Sequence, residues 1–431
     1  MVTLRSFFNR HTFSEYKSGF LYIFSSKVLL VIIVFLTTPI LARIYNPEDY
    51  GLFALMNSAV FTISLFSNLS LPVCLLAIDD EKLVKTVSGI VGYAIITNFL
   101  LAGFGCIAVL IGRHFGLLHG LIIDVQIVCM VCLSSLLVTI TQVLANINIR
   151  EKTFRNNVIV NLADNISIRL SSLSLGLIGF TKLGLFYAEL TGKVVNILTQ
   201  YYFKKFDGSL LDKKNLFSFA NIRSTIVENK DYPIYNLPVS LINTFSNQVV
   251  LWMLAFFFSR QSVGYFTMSL GLVNIPLLLF ANSFQPLVMR KLIDESKNFP
   301  SQFFFSISIK IFLLSFAIYF LLYLFSPAFI QLYLGEKWLN SIPFIQILCI
   351  PFAFQLLGNS IGGAFIVFKK QKANFVIKGI FLAILLMALV FQHQVYPDLK
   401  SMVIVYAVVV SLEELTKILF LGLSLQNVRR N

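Results

Sequence analysis

Residues 41–53 read LARIYNPEDYGLF and interrupt an otherwise apolar stretch of the chain. Pro47 ends a helix or begins a turn, and Glu48 and Asp49 favour the positive end of a helix that starts nearby. Gly51 permits another backbone to approach closely. Because apolar sequence resumes at once, this stretch predicts a hairpin between two membrane-spanning helices.

The composition of the chain is that of a membrane protein. Of its 431 residues, 57% are hydrophobic and only 13% are charged, with a mean hydropathy of +0.81. Soluble domains carry about 25% charged residues. Apolar windows of about 20 residues can cross the hydrocarbon core as helices. Twelve such windows occur, at roughly 18–43, 51–77, 84–112, 121–146, 157–180, 183–203, 233–258, 264–288, 301–325, 341–367, 373–391 and 399–424.

The polar break at residues 204–232 divides the predicted spans into six and six. We therefore expect an all-α membrane protein with an N-terminal six-helix lobe (1–203), an inter-lobe loop (204–232) and a C-terminal six-helix lobe (233–431). A shift of 213 positions places Tyr50-Gly51-Leu52-Phe53 over Val263-Gly264-Tyr265-Phe266, which indicates a duplication. An even number of spans in each half predicts a pseudo-twofold axis along the membrane normal.

The distribution of basic residues predicts the orientation. With the N-terminus inside, the cytoplasmic segments hold 22 Lys and Arg residues and the outer connections hold 5. This asymmetry follows the positive-inside rule and places both termini in the cytoplasm. It also accounts for the net charge of +14 without nucleic acid as a partner.

Several charged residues fall inside the predicted spans, where a charge costs about 2.5–3.5 kcal/mol. Two Glu–Lys pairs, Glu189 with Lys193 and Glu413 with Lys417, have the favourable i, i+4 spacing. Arg43 and Lys378 lie near span ends, where their side chains can reach the interface. Lys27, Arg169 and Lys310 have no oppositely charged residue at helical spacing in the sequence, and they are the candidates for a cationic cavity. The alternative is that each pairs with a carboxylate of another helix.

Polar residues form stripes on four of the spans, one of them on span five with Asn161, Asn165, Arg169 and Ser172. Asn236, Ser240, Asn243 and Asn247 share one face of span seven, and Asn68 continues a similar stripe on span two. The stripe on span four consists of Ser135, Thr139, Gln142 and Asn146. A stripe of this kind also serves as a hydrogen-bonded contact between helices. Several stripes together favour a wet cavity, with Asn68, Asn236, Asn243 and Asn247 as its sugar-binding candidates.

Enzyme activity is not predicted. The acidic run Asp79-Asp80-Glu81 fits an ordinary helix end on the inner side of a span better than a catalytic metal site, and the chain lacks a phosphate-binding loop for ATP hydrolysis. A polymerase of lipid-linked sugars needs a larger outer loop than the longest one here, about fifteen residues around SPAFIQLYLGEKWLN. The five cysteines and four histidines have no metal-ligand spacing, so neither metal nor cofactor is expected.

Four stretches resemble the polysaccharide transporters, namely ARIYNPEDYGLF, YPIYNLPVSLINTFSNQVV, SVGYFTMSLGLVNIPL and LGEKWLNSIPFIQIL. In their order and spacing they are similar to flippases for O-antigen and other lipid-linked oligosaccharides, within the multidrug/oligosaccharidyl-lipid/polysaccharide exporter superfamily. The resemblance implies two six-helix bundles and a substrate of undecaprenyl pyrophosphate that carries a sugar repeat unit. It implies translocation from the cytoplasmic to the periplasmic leaflet of the bacterial inner membrane by alternating access.

On this interpretation, Lys27, Arg169 and Lys310 engage the pyrophosphate, and the four asparagines contact the sugar. The candidates for a coupling residue are Asp164, Glu413 and Glu414, with H⁺ or Na⁺ as the ion. Membrane lipids, a polysaccharide polymerase and chain-length proteins are the expected partners. Two alternatives remain, a drug/cation antiporter of the same superfamily and a membrane polysaccharide polymerase.

Overall fold

The computed structural model describes residues 28–115, 124–204, 212–295 and 300–428, and these ranges contain helices and connections with no β-strand. The helices, in chain order, are α1 (Val28–Ile44), α2 (Pro47–Asn68), α3 (Asp80–His114), α4 (Val125–Arg150), α5 (Phe154–Leu177), α6 (Gly184–Lys204), α7 (Lys213–Leu216), α8 (Phe219–Glu228), α9 (Leu237–Phe257), α10 (Arg260–Glu295), α11 (Pro300–Tyr333), α12 (Ile342–Ile361), α13 (Ala364–Val367), α14 (Gln371–Val395) and α15 (Leu399–Val428).

Each of the twelve predicted spans overlaps one long helix. Eight helical segments in the described ranges are long and apolar enough to cross a membrane. The helices α5, α6 and α15 also match predicted spans, but charged residues interrupt their apolar sequence. Residues 18–27 of the first predicted span lie outside the described residues.

Contacts group the chain into two units. Of the described residues, the first holds 28–35 and those within Met56–Thr244, and the second holds Leu36–Leu55 and those from Phe245 to 428. In the first unit α5 packs against α6, and α3 packs against α4 and α8. In the second, α12 packs against α10, α11 and α15, and α14 packs against α15. The lobe boundaries that the sequence indicates, at residues 203 and 233, remain predictions.

The hairpin at residues 41–53 is anchored within the second unit by the segment before α12. The indole Nε1 of Trp338 donates a hydrogen bond to the carbonyl of Ala42 at 2.9 Å, and Lys337 Nζ donates to the carbonyl of Arg43 at 3.2 Å. The Tyr50 ring meets Trp338 edge-on, with ring centroids 5.2 Å apart. Because Trp338 is fully buried, these contacts fix the start of α2 in the core.

The glycines that the 213-residue shift pairs are in contact with each other. A Cβ on Gly51 would overlap the carbonyl oxygen of Arg260, and a Cβ on Gly264 would overlap that of Pro47. The shift also pairs Pro47 with Arg260, so each contact is the image of the other. A reciprocal contact of this kind is what a twofold axis generates. The starts of α2 and α10 therefore cross at a local twofold, where only glycine permits the approach.

Three local features differ from the sequence expectation. Predicted span two breaks after α2, because Leu69 and Ser70 adopt left-handed φ angles of 50° and 57° before a 3₁₀ turn at Leu71–Leu76. The inter-lobe loop contains α7 and α8, which pack against α3. The predicted outer connection at SPAFIQLYLGEKWLN is largely helical, since α11 continues through Pro327 to Tyr333.

Candidate functional site

The first unit contains a cavity lined by four carboxamide side chains, two serines and four apolar residues, which we call the carboxamide cavity. It has a volume of about 400 Å³ and lies among the end of α2, the last third of α4 and the start of α9. None of its lining residues is ionisable. They are Leu65, Asn68, Ser70, Pro72, Val73, Gln142, Asn146, Asn236, Val239 and Ser240.

Asn68 organises the wall of the carboxamide cavity. Its side chain is buried, its Nδ2 donates to Gln142 Oε1 at 2.9 Å, and its Oδ1 accepts from the Ser70 amide at 2.8 Å. The second bond holds the left-handed turn that ends α2. Each left-handed residue costs about 1–3 kcal/mol, and such strain persists where the surroundings enforce it. Asn68 therefore joins the position of α4 to the shape of this turn.

The second unit contains a smaller cavity, which we call the charged cavity. Its volume is about 210 Å³, and α9, α12, α14 and α15 contribute to its wall. Two lysines, Lys378 and Lys417, and two glutamates, Glu413 and Glu414, line it together with five uncharged polar residues. The remaining lining residues are Ser246, Asn247, Gln355, Asn359, Phe381, Leu382, Leu385, Tyr406 and Val410.

Lys417 bridges both carboxylates of the charged cavity. Its Nζ lies 2.6 Å from Glu413 Oε1 and 3.0 Å from Glu414 Oε1, and both carboxylates are buried. A Cβ on Gly358 would overlap Glu414 Oε2, so the glycine on α12 provides the space for this carboxylate. Lys378 lines the same cavity and has no carboxylate within 4.0 Å among the described residues.

The first unit has its own buried ion cluster between α5 and α6. Lys193 Nζ lies 2.9 Å from Glu189 Oε1 and 3.5 Å from Asp164 Oδ2. Asp164 is only 6% exposed, and its Oδ1 has no hydrogen-bond partner among the described residues. Fully ionised, the three side chains leave one net negative charge in a region where charge is costly.

A chain of amide side chains leads from this cluster toward the end of α4. Asn196 Nδ2 donates to Asp164 Oδ2 at 3.2 Å, and Gln200 Nε2 donates to Asn196 Oδ1 at 2.7 Å. Asn148 Nδ2 then donates to Gln200 Oε1 at 3.1 Å and also to Asn157 Oδ1 at 2.8 Å. The bonds join α4, α5 and α6 through groups that hydrocarbon cannot solvate.

The predicted sugar-binding residues do not form one group. Asn68 and Asn236 line the carboxamide cavity, whereas Asn247 lines the charged cavity. Asn243 is half-buried on α9 and is in the lining of neither cavity.

The predicted pyrophosphate-binding residues are also dispersed. Lys27 lies outside the described residues. Arg169 is half-buried on α5, and Lys310 is exposed on α11; neither lines one of the two cavities. Of the predicted coupling residues, Asp164 contacts Lys193, and Glu413 and Glu414 contact Lys417.

Sequence reasoning missed several lining residues. Lys378, interpreted as a lysine that reaches the interface, lines the charged cavity instead. Gln355 and Asn359 stand at i, i+4 on α12, a spacing that would have identified them. Gln142 and Asn146 were visible as a polar stripe, but they could not be connected with Asn68 because α2 and α4 are far apart in sequence.

The sequence profile described as polysaccharide biosynthesis protein matches residues 40–343, which include the hairpin, the ion cluster of α5 and α6, and the carboxamide cavity, but not the ionisable residues of the charged cavity. The chain belongs to this family. No curated protein sequence matches it significantly.

Solved structures share the fold of this polysaccharide biosynthesis family member. The lipid II flippase MurJ, in an inward closed conformation, has a TM-score of 0.70 at 15% identity, over 95% of this chain and 87% of that chain. The eukaryotic MATE transporter AtDTX14 has a TM-score of 0.58 at 12% identity, over 94% of this chain and 93% of that chain. An outward-facing multidrug resistance MATE transporter of the MOP superfamily has a TM-score of 0.55 at 14% identity, over 95% of this chain and 96% of that chain. These likenesses and the helices of the described residues confirm the predicted fold class.

Proposed function

We propose that this protein is a flippase for a lipid-linked oligosaccharide in surface polysaccharide biosynthesis. Its substrate is undecaprenyl pyrophosphate that carries a sugar repeat unit of the O-antigen type. The protein moves this lipid from the cytoplasmic to the periplasmic leaflet of the bacterial inner membrane by alternating access, with both termini in the cytoplasm. No covalent chemistry is involved.

The observation that carries this proposal is that each of the two units of apolar helices contains a polar cavity. Desolvated amides and charges destabilise a protein within hydrocarbon unless they are satisfied, so such residues mark a substrate or ion pathway. Carboxamides suit the hydroxyl groups of a sugar, and ammonium groups suit a phosphate. The family's role in polysaccharide biosynthesis and the fold shared with the lipid II flippase MurJ support this choice of substrate.

For the pyrophosphate we keep Lys27, Arg169 and Lys310 as the proposed contacts and add Lys378. Lys310 is exposed on a spanning helix, where a charge against acyl chains costs about 2.5–3.5 kcal/mol. A position facing water and the substrate avoids this cost. Lys378 lacks a carboxylate partner among the described residues, so its ammonium group can accept an anionic ligand.

For the sugar we propose Asn68, Asn236, Asn243 and Asn247, whose side chains both donate and accept hydrogen bonds.

For the coupling ion we propose a proton bound at Asp164. The cluster of Glu189, Lys193 and Asp164 carries one net negative charge when ionised, and one proton makes it neutral. The charged cavity contains two carboxylates and two ammonium groups, so it is already balanced. Lys193 also fills the position between the carboxylates that Na⁺ would take. Glu413 and Glu414 are therefore weaker candidates than Asp164.

Deletion of the gene in the source bacterium tests the proposed function. We expect surface polysaccharide to disappear and single lipid-linked repeat units to accumulate, with display restored by a plasmid copy. In a polymerase mutant, by contrast, single repeats still reach the cell surface. Normal polysaccharide display in the deletion strain would reject the proposal. A search for a polymerase partner is worthwhile only if the deletion abolishes display.

Drug/cation antiport is the second candidate, because the net negative charge at Asp164 and Glu189 suits a cationic ligand. The same deletion strain separates the two functions. Increased sensitivity to cationic drugs with normal surface polysaccharide would favour the antiporter.

A further inference from the structure

The carboxamide cavity contains polar atoms that the protein does not satisfy. Asn68 uses both of its side-chain groups, and one of them holds Gln142 Oε1. Gln142 Nε2 is then left without an acceptor in the described ranges. Asn146 Nδ2 donates to the carbonyl of Gln142 at 3.0 Å, which leaves Asn146 Oδ1 available. The wall therefore presents a free donor and a free acceptor on neighbouring turns of α4.

The start of α9 presents further polar groups to the same space. The side chains of Asn236 and Ser240 line the cavity and make no hydrogen bond to other described residues. Together with Gln142 and Asn146, they offer amide and hydroxyl groups from two helices. Leu65, whose side chain is apolar, completes the wall with three other apolar residues.

The chemistry of the lining selects among possible ligands. A phosphate or a sugar acid needs a cationic partner in a site of low dielectric, and no lining residue is ionisable. A purely apolar ligand would leave the amide groups unpaired, which sites of this kind reject. Neutral sugars fit both conditions, because their hydroxyl groups donate and accept while their C–H faces contact apolar side chains. The volume of about 400 Å³ is at the lower end of the range for small-ligand sites, about 300–1,000 Å³.

The cavity lies toward one end of its helices. Gln142 and Asn146 stand eight and four residues before Arg150, the last residue of α4, so they are about 12 and 6 Å from that end. Asn236 directly precedes α9. The basic residues of the predicted cytoplasmic connections lie at this same end. A ligand would therefore reach the cavity from the cytoplasm in the proposed orientation.

We propose that the carboxamide cavity binds one uncharged sugar residue of the lipid-linked oligosaccharide, on the cytoplasmic side and before translocation. This inference rests on the proposed function and deepens it. The carboxamide cavity sets the specificity for a neutral sugar, with Gln142, Asn146, Asn236 and Ser240 as contacts. The anionic part of the substrate binds elsewhere.

Saturation-transfer difference NMR on the full-length protein in detergent tests this inference. The probes are a panel of neutral methyl hexosides and N-acetylhexosaminides, with glucuronate as the charged counterpart. We expect saturation of at least one neutral sugar and none of glucuronate. Asn146→Leu and Asn236→Leu each remove about one hydrogen bond and should weaken binding about three- to tenfold.

The matched control is Asn165→Leu on α5. Asn165 Nδ2 donates to the carbonyl four residues earlier, as Asn146 does, but Asn165 does not line the cavity. Binding by this variant should equal that of the wild type. Asn236 is exposed and bonds to no described residue, so its variant is expected to fold, and a wild-type elution profile in size exclusion checks this.

Two results would overturn the inference. One is the absence of saturation for every neutral sugar, and the other is equal saturation in wild type, Asn146→Leu and Asn236→Leu. The gene deletion is a separate readout. If deletion abolishes polysaccharide display but neutral sugars do not bind, the inference fails and the flippase function stands. If sugars bind but display is normal, the proposed function fails instead.

Discussion

Alanine at Gly51 or at Gly264 tests the local twofold between α2 and α10. A Cβ on Gly51 would lie 2.9 Å from the carbonyl carbon of Arg260, and one on Gly264 would lie 2.6 Å from that of Pro47. Carbon atoms in contact lie about 3.5–4.0 Å apart, so the two helices must separate by at least about 0.6–0.9 Å, and by more to clear the carbonyl oxygens, which lie closer. The obstacles are backbone atoms, which no change of rotamer can move.

The cost follows from that separation. A gap of about 0.5–1 Å loses between a quarter and a half of the dispersion energy of each contact at the crossing, and overpacking costs about 1–3 kcal/mol. We expect Gly51→Ala and Gly264→Ala to lower the thermal midpoint of the protein in detergent by similar amounts. Because one separation accommodates both methyl groups, the double variant should lose less than the sum of the single losses.

Intrinsic tryptophan fluorescence during heating is a suitable assay, since Trp338 contacts Tyr50 beside this crossing. The matched control is Gly271→Ala, also on α10, whose Cβ would meet no atom within 4 Å. Alanine favours a helix over glycine by about 1 kcal/mol, so this control should unfold at the wild-type temperature or above it. If Gly51→Ala and Gly264→Ala unfold at the temperature of Gly271→Ala, the reciprocal glycine contact is refuted.

Three further predictions concern the buried charges and the orientation. Asp164→Asn should keep the protein folded, since it makes the ion cluster neutral, but should lower proton-dependent polysaccharide display at least tenfold; wild-type display would exclude Asp164 as the coupling residue. Lys417→Met leaves two buried carboxylates without their ion-pair partner, which destabilises the folded protein by about 3–5 kcal/mol, so it should reduce the folded yield in membranes far more than Lys378→Met. Equal yields of the two variants would contradict the ion pairing. In a cysteine-free protein, Lys182→Cys should react with an impermeant maleimide in intact cells and Lys230→Cys only after permeabilisation, whereas the reverse pattern would invert the proposed orientation.

The sequence was sufficient for the helices because apolar length determines them locally. Both i, i+4 pairs, Glu189 with Lys193 and Glu413 with Lys417, were visible for the same reason and are present. The 213-residue shift identified Gly51 and Gly264 as equivalent. It could not reveal that they touch, because contact depends on how two distant helices pack.

Other features depend on partners that no local pattern identifies. Asp164 joins Lys193 across α5 and α6, and a solitary aspartate in the sequence gives no sign of this. The position of Lys378, near the start of its span, suggested that its side chain reaches the interface, but packing of α14 against α15 brings it into the charged cavity. The stretch SPAFIQLYLGEKWLN was predicted to be an outer connection, whereas α11 continues through Pro327 to Tyr333.

The grouping of the predicted sites shows the same limit. The stripe on α9 appeared to be one sugar-binding face, yet Asn236 lines one cavity and Asn247 lines the other. About 17 Å of helix separates these two residues at 1.5 Å per residue. Periodicity shows which side chains share one face of a helix. It does not show which neighbouring helices pack against each part of that face.

The most direct test of the account is the sidedness of lipid-linked sugars in sealed membrane vesicles. Vesicles from the deletion strain, with and without a plasmid copy of the gene, would be exposed to a membrane-impermeant lectin that binds the repeat unit. As a flippase, the protein should raise the fraction of lipid-linked sugar on the periplasmic face, whereas the Asp164→Asn variant should not. An equal periplasmic fraction with and without the protein would contradict it.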